Sequence, residues 1–130
     1  MKTSTMKQTI TLKTTPHEVF ECFMDSKKHE EFTGDAAEIS RKVGGTFSAY
    51  AGYCHGKNLQ VVKDKKIVQT WRATDWPEGH FSTVSLTFAK TREGTRLTFS
   101  QKGIPEAEVE SIKKGWDDFY WKPLKDMLEP

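Results

Sequence analysis

The sequence predicts an α+β domain in which a curved, seven-stranded antiparallel sheet wraps around a long C-terminal helix, with two short helices after the first strand. Three observations support this prediction. Apolar and polar residues alternate over much of residues 38–102, which is typical of strands with one buried face. Short turn signals separate these strands, and short connections make neighbouring strands antiparallel. From Val109 to Leu128, apolar residues recur instead at the spacing of an amphipathic helix.

The chain is expected to begin with a strand and two helices. Residues 7–13 alternate like a half-buried strand. Thr15 is suited to cap the first helix, because its hydroxyl can accept a hydrogen bond from the first turn and Pro16 is tolerated at the first helical position. Asp25 ends this helix and is expected to cap a short second helix that reaches Phe32.

Six further strands are expected to complete the sheet. They lie at residues 38–40, 46–53, 55–63, 67–74, 80–89 and 95–102. Several turns between them are predicted from Gly, Asp and Pro, at Gly44-Gly45, Asp64-Lys65, Pro77-Glu78-Gly79 and Arg92-Glu93-Gly94. Because Val84, Leu86 and Phe88 share one face of their strand, the sheet is expected to have one apolar side.

The last helix is expected to cover this apolar side. Its apolar face is predicted to consist of Val109, Ile112, Trp116, Phe119, Tyr120, Leu124, Met127 and Leu128. Gly115 interrupts the helix at a cost of roughly 1 kcal/mol relative to alanine, which indicates close backbone packing there. Pro123 lacks an N–H and crowds the carbonyl of Phe119, so a kink is expected at this point.

Length and composition favour one domain without a nucleic-acid or membrane partner. The chain has 130 residues, and we expect a flexible N-terminal segment at residues 1–6 and a single domain at residues 7–130. The chain contains 20 Lys and Arg residues and 18 Asp and Glu residues, and this near balance of charge does not suit nucleic-acid binding. Neither a signal peptide nor a spanning segment is recognisable, so a soluble cytoplasmic protein is expected. Cys22 and Cys54 stand alone and are expected to be reduced, buried thiols.

The sequence predicts no catalytic residues, no metal site and no cofactor. His17, His29, His55 and His80 do not fall at metal-ligand spacing. Neither a nucleophile elbow nor a phosphate-binding glycine loop is recognisable. Asp117-Asp118 is the one adjacent acid pair in a predicted helix, and neighbouring helical residues do not face each other. We therefore expect a protein that binds rather than an enzyme.

Several large side chains lie around one predicted hairpin turn. The stretch is Thr70-Trp71-Arg72-Ala73-Thr74-Asp75-Trp76-Pro77-Glu78-Gly79-His80-Phe81 (TWRATDWPEGHF). One interpretation is structural, because aromatic residues at the end of a hairpin often pack locally. Arg72 and His80 would then pair with nearby acids. In the other interpretation Trp76 lies at the tip of the hairpin and forms a docking surface with Arg72, Glu78 and His80.

Several motifs in the chain resemble those of one known family. The likeness rests on five segments. They are Ile67 to Arg72, the run Trp76-Pro77-Glu78-Gly79-His80-Phe81, Pro16 to Phe20, Gly44-Gly45-Thr46-Phe47, and Lys102-Gly103-Ile104-Pro105 with Gly115-Trp116. Together they are similar to the C-terminal domain of the activator of the 90-kDa heat-shock protein ATPase. The resemblance covers nearly all of residues 7–128.

This resemblance implies a fold, a partner and a role. The fold is the helix-grip fold of the START and Bet v 1-like superfamily. The implied partner is the 90-kDa heat-shock chaperone. By the resemblance, the family's C-terminal domain docks near the chaperone's N-terminal ATPase domains and favours their closed, dimerised state. The family also has an N-terminal domain with a basic motif tied to stimulation. These 130 residues hold no counterpart of it, so weak stimulation of the ATPase is expected.

The same superfamily implies an alternative function, the binding of a small hydrophobic ligand without a chaperone partner. The residues expected to line a cavity between sheet and helix are Phe47, Trp71, Val84, Phe99, Trp116 and Tyr120. A hollow lined by aromatic side chains suits an apolar guest. In the other outcome these side chains meet and fill the space, which would leave only the interaction role.

Overall fold

A computed structural model describes residues 1–129 of the chain. Its strands are β1 (Thr3–Leu12), β2 (Glu38–Ile39), β3 (Thr46–Ala49), β4 (Cys54–Val62), β5 (Lys66–Ala73), β6 (Ser82–Thr91) and β7 (Gly94–Pro105). Its helices are α1 (Pro16–Met24), α2 (Ser26–Thr33), α3 (Val109–Trp116) and α4 (Lys122–Leu128). A 3-10 turn (Glu106–Glu108) precedes α3, and a π-helical segment (Asp117–Trp121) joins α3 to α4.

All seven strands form one sheet in the order β1-β7-β6-β5-β4-β3-β2. Every neighbouring pair is antiparallel. The two short helices follow β1 and the helical run 106–128 ends the described chain, so the predicted α+β architecture is confirmed. Thr15 caps α1 as expected, since its Oγ1 accepts a hydrogen bond from the Glu18 N–H at 3.2 Å.

The two largest differences between predicted and observed strand boundaries have physical reasons. β1 begins at Thr3 rather than at residue 7, so the segment predicted to be flexible is paired with β7 from Thr3↔Pro105 onward. β3 ends at Ala49 rather than at residue 53. Tyr50 and Ala51 have φ angles of 51° and 55°, left-handed values that turn the chain out of the sheet.

The C-terminal helical run departs from regular geometry just before Pro123. Asp117–Trp121 is π-helical, and the backbone N–H of Lys122 donates to the carbonyl of Asp117, five residues back. The wider turn inserts one residue and rotates the side chains that follow. As a result Tyr120 and Trp121 are buried, whereas Phe119, which was predicted on the apolar face, is 57% exposed.

Gly115 does not have the close packing that its position in the helix suggested. A Cβ atom added there would have no heavy atom within 4 Å outside the helix's own backbone. Gly115 lies instead at the edge of a cavity. The prediction of close packing at this glycine is therefore wrong, and the space beside it is open.

The core lies between the concave face of the sheet and the helices. Its fully buried side chains include Leu12, Phe20, Ile67, Leu86, Leu97, Phe99 and Leu124. Trp116, at the end of α3, packs on Phe99 with ring centroids 4.5 Å apart. This contact anchors the C-terminal helical run on β7. Among residues 1–129, no helix is both long enough and apolar enough to cross a membrane.

Candidate functional site

The hairpin between β5 and β6 is held by one arginine. Nη2 of Arg72 donates to the carbonyl of Trp76 at 2.7 Å and to that of Pro77 at 3.2 Å, and Nε donates to the carbonyl of His80 at 3.3 Å. A guanidinium presents several donors in a fixed plane, which suits three carbonyls of one turn. The acid pairs expected for Arg72 are replaced by this carbonyl clamp.

Trp76 is buried beneath the turn rather than exposed at its tip. The side chain is 4% exposed, with its ring 5.3 Å from Trp71 and 5.9 Å from the imidazole of His80, centroid to centroid. Within residues 1–129 its Nε1 has no hydrogen-bond partner. The turn folds this ring back onto β5, which agrees with the interpretation that the aromatic residues pack locally. The interpretation in which a partner reaches Trp76 at the tip is therefore wrong.

The other two predicted docking residues differ in accessibility. His80 is half-buried, and its Nε2 lies 2.8 Å from the carbonyl oxygen of Gly103 in β7. Glu78 is exposed at the turn. The hairpin surface accessible to a partner thus includes Glu78 and leaves Trp76 as internal support.

Phe81 is an exposed aromatic residue on this hairpin that the sequence analysis did not single out. It is 42% exposed, its ring stands at 87° to that of His55, and Cζ of Arg72 lies 5.9 Å from its centroid. The alternation of β6 contains the signal for this position. Since Ser82 and Val84 face the core, Phe81 must face outward.

A cavity of about 390 Å³ lies between the β3–β4 turn and the last helix. Its walls are Asp35, Tyr50, Tyr53, Cys54, Trp71, Ser111, Ile112, Gly115, Trp116, Phe119 and Tyr120. Trp71, Trp116 and Tyr120 were predicted to line it. The sequence analysis missed Tyr50, Tyr53 and Phe119, which enter the wall through the left-handed turn and the π segment.

The other predicted cavity residues lie elsewhere. Val84 and Phe99 are 1% and 0% exposed in the core, where they fill space instead of lining it. Phe47 borders a separate surface groove beside β2 and β3. The predicted hollow is therefore partly filled, and the remaining cavity lies toward the turn at residues 50–53.

A chain of buried hydrogen bonds fixes the tryptophan wall of the cavity. Nε1 of Trp116 donates to Oε1 of Gln101 at 2.8 Å, and Nε2 of Gln101 donates to Oγ of Ser82 at 2.9 Å. Ser82 Oγ donates in turn to the carbonyl of Trp71 at 2.8 Å. Both indole walls are therefore tied to one satisfied polar network, which favours a single arrangement of the rings.

Burial keeps the thiol and two phenols of the cavity wall in their neutral forms at neutral pH. Burial raises the pKa of the Cys54 thiol to about 12 and that of the Tyr50 phenol to about 12. Burial also raises the pKa of Tyr120 well above its ordinary value. A protonated thiol is a poor nucleophile, so the wall is suited to binding rather than to covalent chemistry. Within residues 1–129, no cluster of three His, Cys, Asp or Glu side chains could hold a metal ion.

The curved sheet, the two short helices and the helix lying across the concave face define a helix-grip domain of the Bet v 1-like class. The chain belongs to the family described as Activator of Hsp90 ATPase homolog 1-like protein, whose model matches residues 13–129. The sequence-based resemblance is thereby confirmed.

Relatives with described roles support the same family. The human activator of 90 kDa heat shock protein ATPase homolog 1 is 35% identical over 121 residues, which are 93% of this chain and 35% of the human protein. The mouse counterpart is 34% identical over 121 residues. This chain therefore spans about a third of the length of these curated relatives.

Solved structures agree with the architecture. The crystal structure of an HSP90 activator from Plasmodium falciparum superposes with a TM-score of 0.88 at 28% identity and covers 95% of both chains. The solution structure of the Aha1 dimer from Colwellia psychrerythraea gives a TM-score of 0.82 over 97% of this chain and 96% of that one. Its 18% identity limits that likeness to the fold.

Proposed function

We propose that this domain binds the Hsp90 chaperone and stimulates its ATPase as a co-chaperone. One observation carries the proposal: the match extends over nearly the whole domain, both to the human activator and to the Plasmodium falciparum HSP90 activator. The Plasmodium falciparum chain has the same extent as this one, since 95% of each is covered.

Stimulation by these 130 residues is proposed to be weak. They correspond to 35% of the human relative, so contacts made by the rest of that protein are not supplied by them. With fewer contacts, the difference between the affinities for the active and the inactive chaperone state is smaller. A ligand can shift the equilibrium between two states only by this difference in affinity, so less of the chaperone becomes active.

The hairpin face is the proposed docking surface, in a form revised by the positions of its residues. Glu78 and Phe81 would contact the chaperone, because both are exposed. Arg72 and His80 are half-buried and hold the turn, and Trp76 supports it from below. Aromatic and arginine side chains dominate the energy of many interfaces, and this face presents an aromatic ring beside an arginine.

A calorimetric titration of Hsp90 with this protein and its variants tests the proposal. Phe81→Ala is expected to weaken binding at least tenfold, the cost of about 1.4 kcal/mol at a central interface residue. Glu78→Ala is expected to have a smaller effect because exposed charges contribute little. Leu59→Ala is the control, since Leu59 is 49% exposed on β4 outside the hairpin. Binding that survives the hairpin changes would exclude this docking surface, and absence of binding by the unmodified protein would exclude the partner.

A second candidate function is the binding of a small apolar ligand in the cavity. Its volume of about 390 Å³ and its aromatic walls support this candidate. Native mass spectrometry of freshly purified protein tests it directly. Detection of a small molecule bound to the protein, either retained or added, would support the ligand-binding function. A protein that neither retains nor takes up apolar compounds would exclude this function, and only the chaperone role would remain.

A further inference from the structure

The cavity combines aromatic walls with a single charged side chain. Its aromatic members are Tyr50, Tyr53, Trp71, Trp116, Phe119 and Tyr120. The wall contains one carboxylate side chain, that of Asp35, and neither lysine nor arginine. Aromatic faces carry negative electrostatic potential, so the ring faces and the Asp35 carboxylate both favour positive charge.

Asp35 is free to interact with a ligand. It is exposed at the mouth of the cavity, and its Oδ1 accepts a hydrogen bond of 2.8 Å from the Ala36 N–H. Among residues 1–129 it takes part in no ion pair. An anionic ligand would meet this charge without a compensating base, whereas a cation would be attracted both by it and by the rings.

Three irregular features of the backbone border the same cavity. Tyr50 has a left-handed φ of 51°, Phe119 and Tyr120 belong to the π segment, and Gly115 faces open space within a helix. Left-handed conformations of non-glycine residues and π segments both carry an energetic cost and occur often at functional sites. Both irregular segments border this one cavity, which supports the second candidate function.

The volume limits the size of that ligand. About 390 Å³ equals about thirteen water molecules at roughly 30 Å³ each. This is more than one methylated ammonium group occupies, so an apolar body fits beside the charged group. We favour a free small molecule as the occupant over a side chain of a protein partner. A small molecule can enter a partly enclosed space completely, whereas a side chain remains attached to its own backbone.

We propose that the cavity binds a small organic cation, with an ammonium or methylated ammonium group near Asp35 and an apolar body between Trp71 and Trp116. This inference rests on the second candidate function, the cavity as a ligand site, and specifies the chemical class of its ligand. It is independent of the chaperone partner.

Titrations of the full chain with three phenyl compounds test the inference, with tryptophan fluorescence as the readout. Phenyltrimethylammonium is the cation, tert-butylbenzene is its neutral isostere and phenylacetate is an anion of similar size. We expect the cation to bind about tenfold more tightly than the anion, and Asp35→Asn to weaken the cation about threefold while leaving tert-butylbenzene unchanged. Asp35 is exposed, so its amide variant retains the fold.

A cavity-filling variant locates the binding. Gly115→Leu places a side chain in the open space and is expected to abolish binding of the cation, whereas Lys114→Leu, at the adjacent exposed position, is expected to retain it. Circular dichroism checks that both variants are folded. Binding of tert-butylbenzene without binding of the cation, or equal binding of cation and anion, would overturn the cationic class but keep the cavity as a ligand site. Failure of all three compounds to bind would overturn both.

Discussion

The hydroxyl group of Tyr50 donates a hydrogen bond to the backbone carbonyl of Phe119, which lies four residues before Pro123. In a regular helix the N–H of residue 123 would bond to the carbonyl of residue 119, and proline has no N–H. Tyr50, in the β3–β4 turn, thus supplies a donor to the carbonyl for which Pro123 cannot supply one. This bond also joins two walls of the cavity.

Tyr50→Phe is expected to lower the free energy of unfolding by about 1 kcal/mol, because the carbonyl of Phe119 loses its partner. Pro123→Ala restores an N–H four residues after that carbonyl. In the Pro123→Ala background, Tyr50→Phe should therefore cost clearly less. Urea unfolding of the four proteins in this double-mutant cycle measures the coupling. Equal costs in both backgrounds would show that Tyr50 and Pro123 are not linked through this carbonyl, and Tyr53→Phe serves as the control for loss of a nearby phenol.

Trp76→Ala is expected to destabilise the domain by about 3–5 kcal/mol, as is Trp116→Ala, since both indoles are buried. This expectation replaces the sequence-based interpretation in which Trp76 lies at the tip of the hairpin as a docking residue. Arg72→Lys should cost about 1–2 kcal/mol, because one ammonium cannot bridge the three carbonyls of the turn. Thermal melts followed by circular dichroism measure each loss. An unchanged melting temperature for Trp76→Ala would contradict the buried position of its ring.

Gly115→Ala is expected to raise the free energy of unfolding by up to about 1 kcal/mol, because alanine favours the helix and its Cβ would meet open space. Gly56→Ala is the matched control. A Cβ at Gly56 would lie 1.8 Å from the carbonyl oxygen of Thr70, so that change should destabilise the sheet. Chemical denaturation of both variants beside the unmodified protein gives the comparison. A loss of stability in Gly115→Ala would mean that the space beside the helix is not open.

Stability is expected to fall as the pH drops through the range of one buried histidine. His29 is 3% exposed, and burial lowers its pKa from 6.5 to about 4. Between these values the unfolded chain binds a proton that the folded chain excludes, so the free energy of unfolding decreases as the pH falls from about 6.5 toward 4. The expected contribution is about 2 kcal/mol between pH 7.5 and pH 5.

The measurement is urea unfolding at both pH values for the unmodified protein and for His29→Phe. The phenylalanine variant should lose this component of the pH dependence and keep those of the exposed groups. Identical pH dependence in the two proteins would show that His29 titrates normally in the folded state.

The elements of the fold could be predicted from local pattern, but their irregularities could not. Alternation identified β4 to β7 because each strand has one buried face, and Thr15-Pro16 marked the start of α1. The start of β1 was missed because residues 3–5 are polar and are ordered by pairing with β7, distant in sequence. Local packing of Trp76 was one of two interpretations of the hairpin, and its contact with Trp71 decides between them.

The cavity was predicted in kind but not in detail. Trp71, Trp116 and Tyr120 could be assigned to it from the inward faces of a strand and a helix. Phe119 was placed on the wrong face because regular helical spacing does not anticipate an inserted π turn. Tyr50 joined the wall through a left-handed backbone conformation that its residue type does not favour. Long-range contacts determine both features.

The proposed co-chaperone role is tested most directly by the ATPase rate of Hsp90 from the source organism, measured with increasing amounts of this protein. An Hsp90 inhibitor that occupies the nucleotide site supplies the background rate. We expect a saturable increase in the inhibitor-sensitive rate, weakened by Phe81→Ala and unaffected by Leu59→Ala. An inhibitor-sensitive rate that stays constant at saturating protein, with no complex detected by sedimentation velocity, would contradict the proposed function.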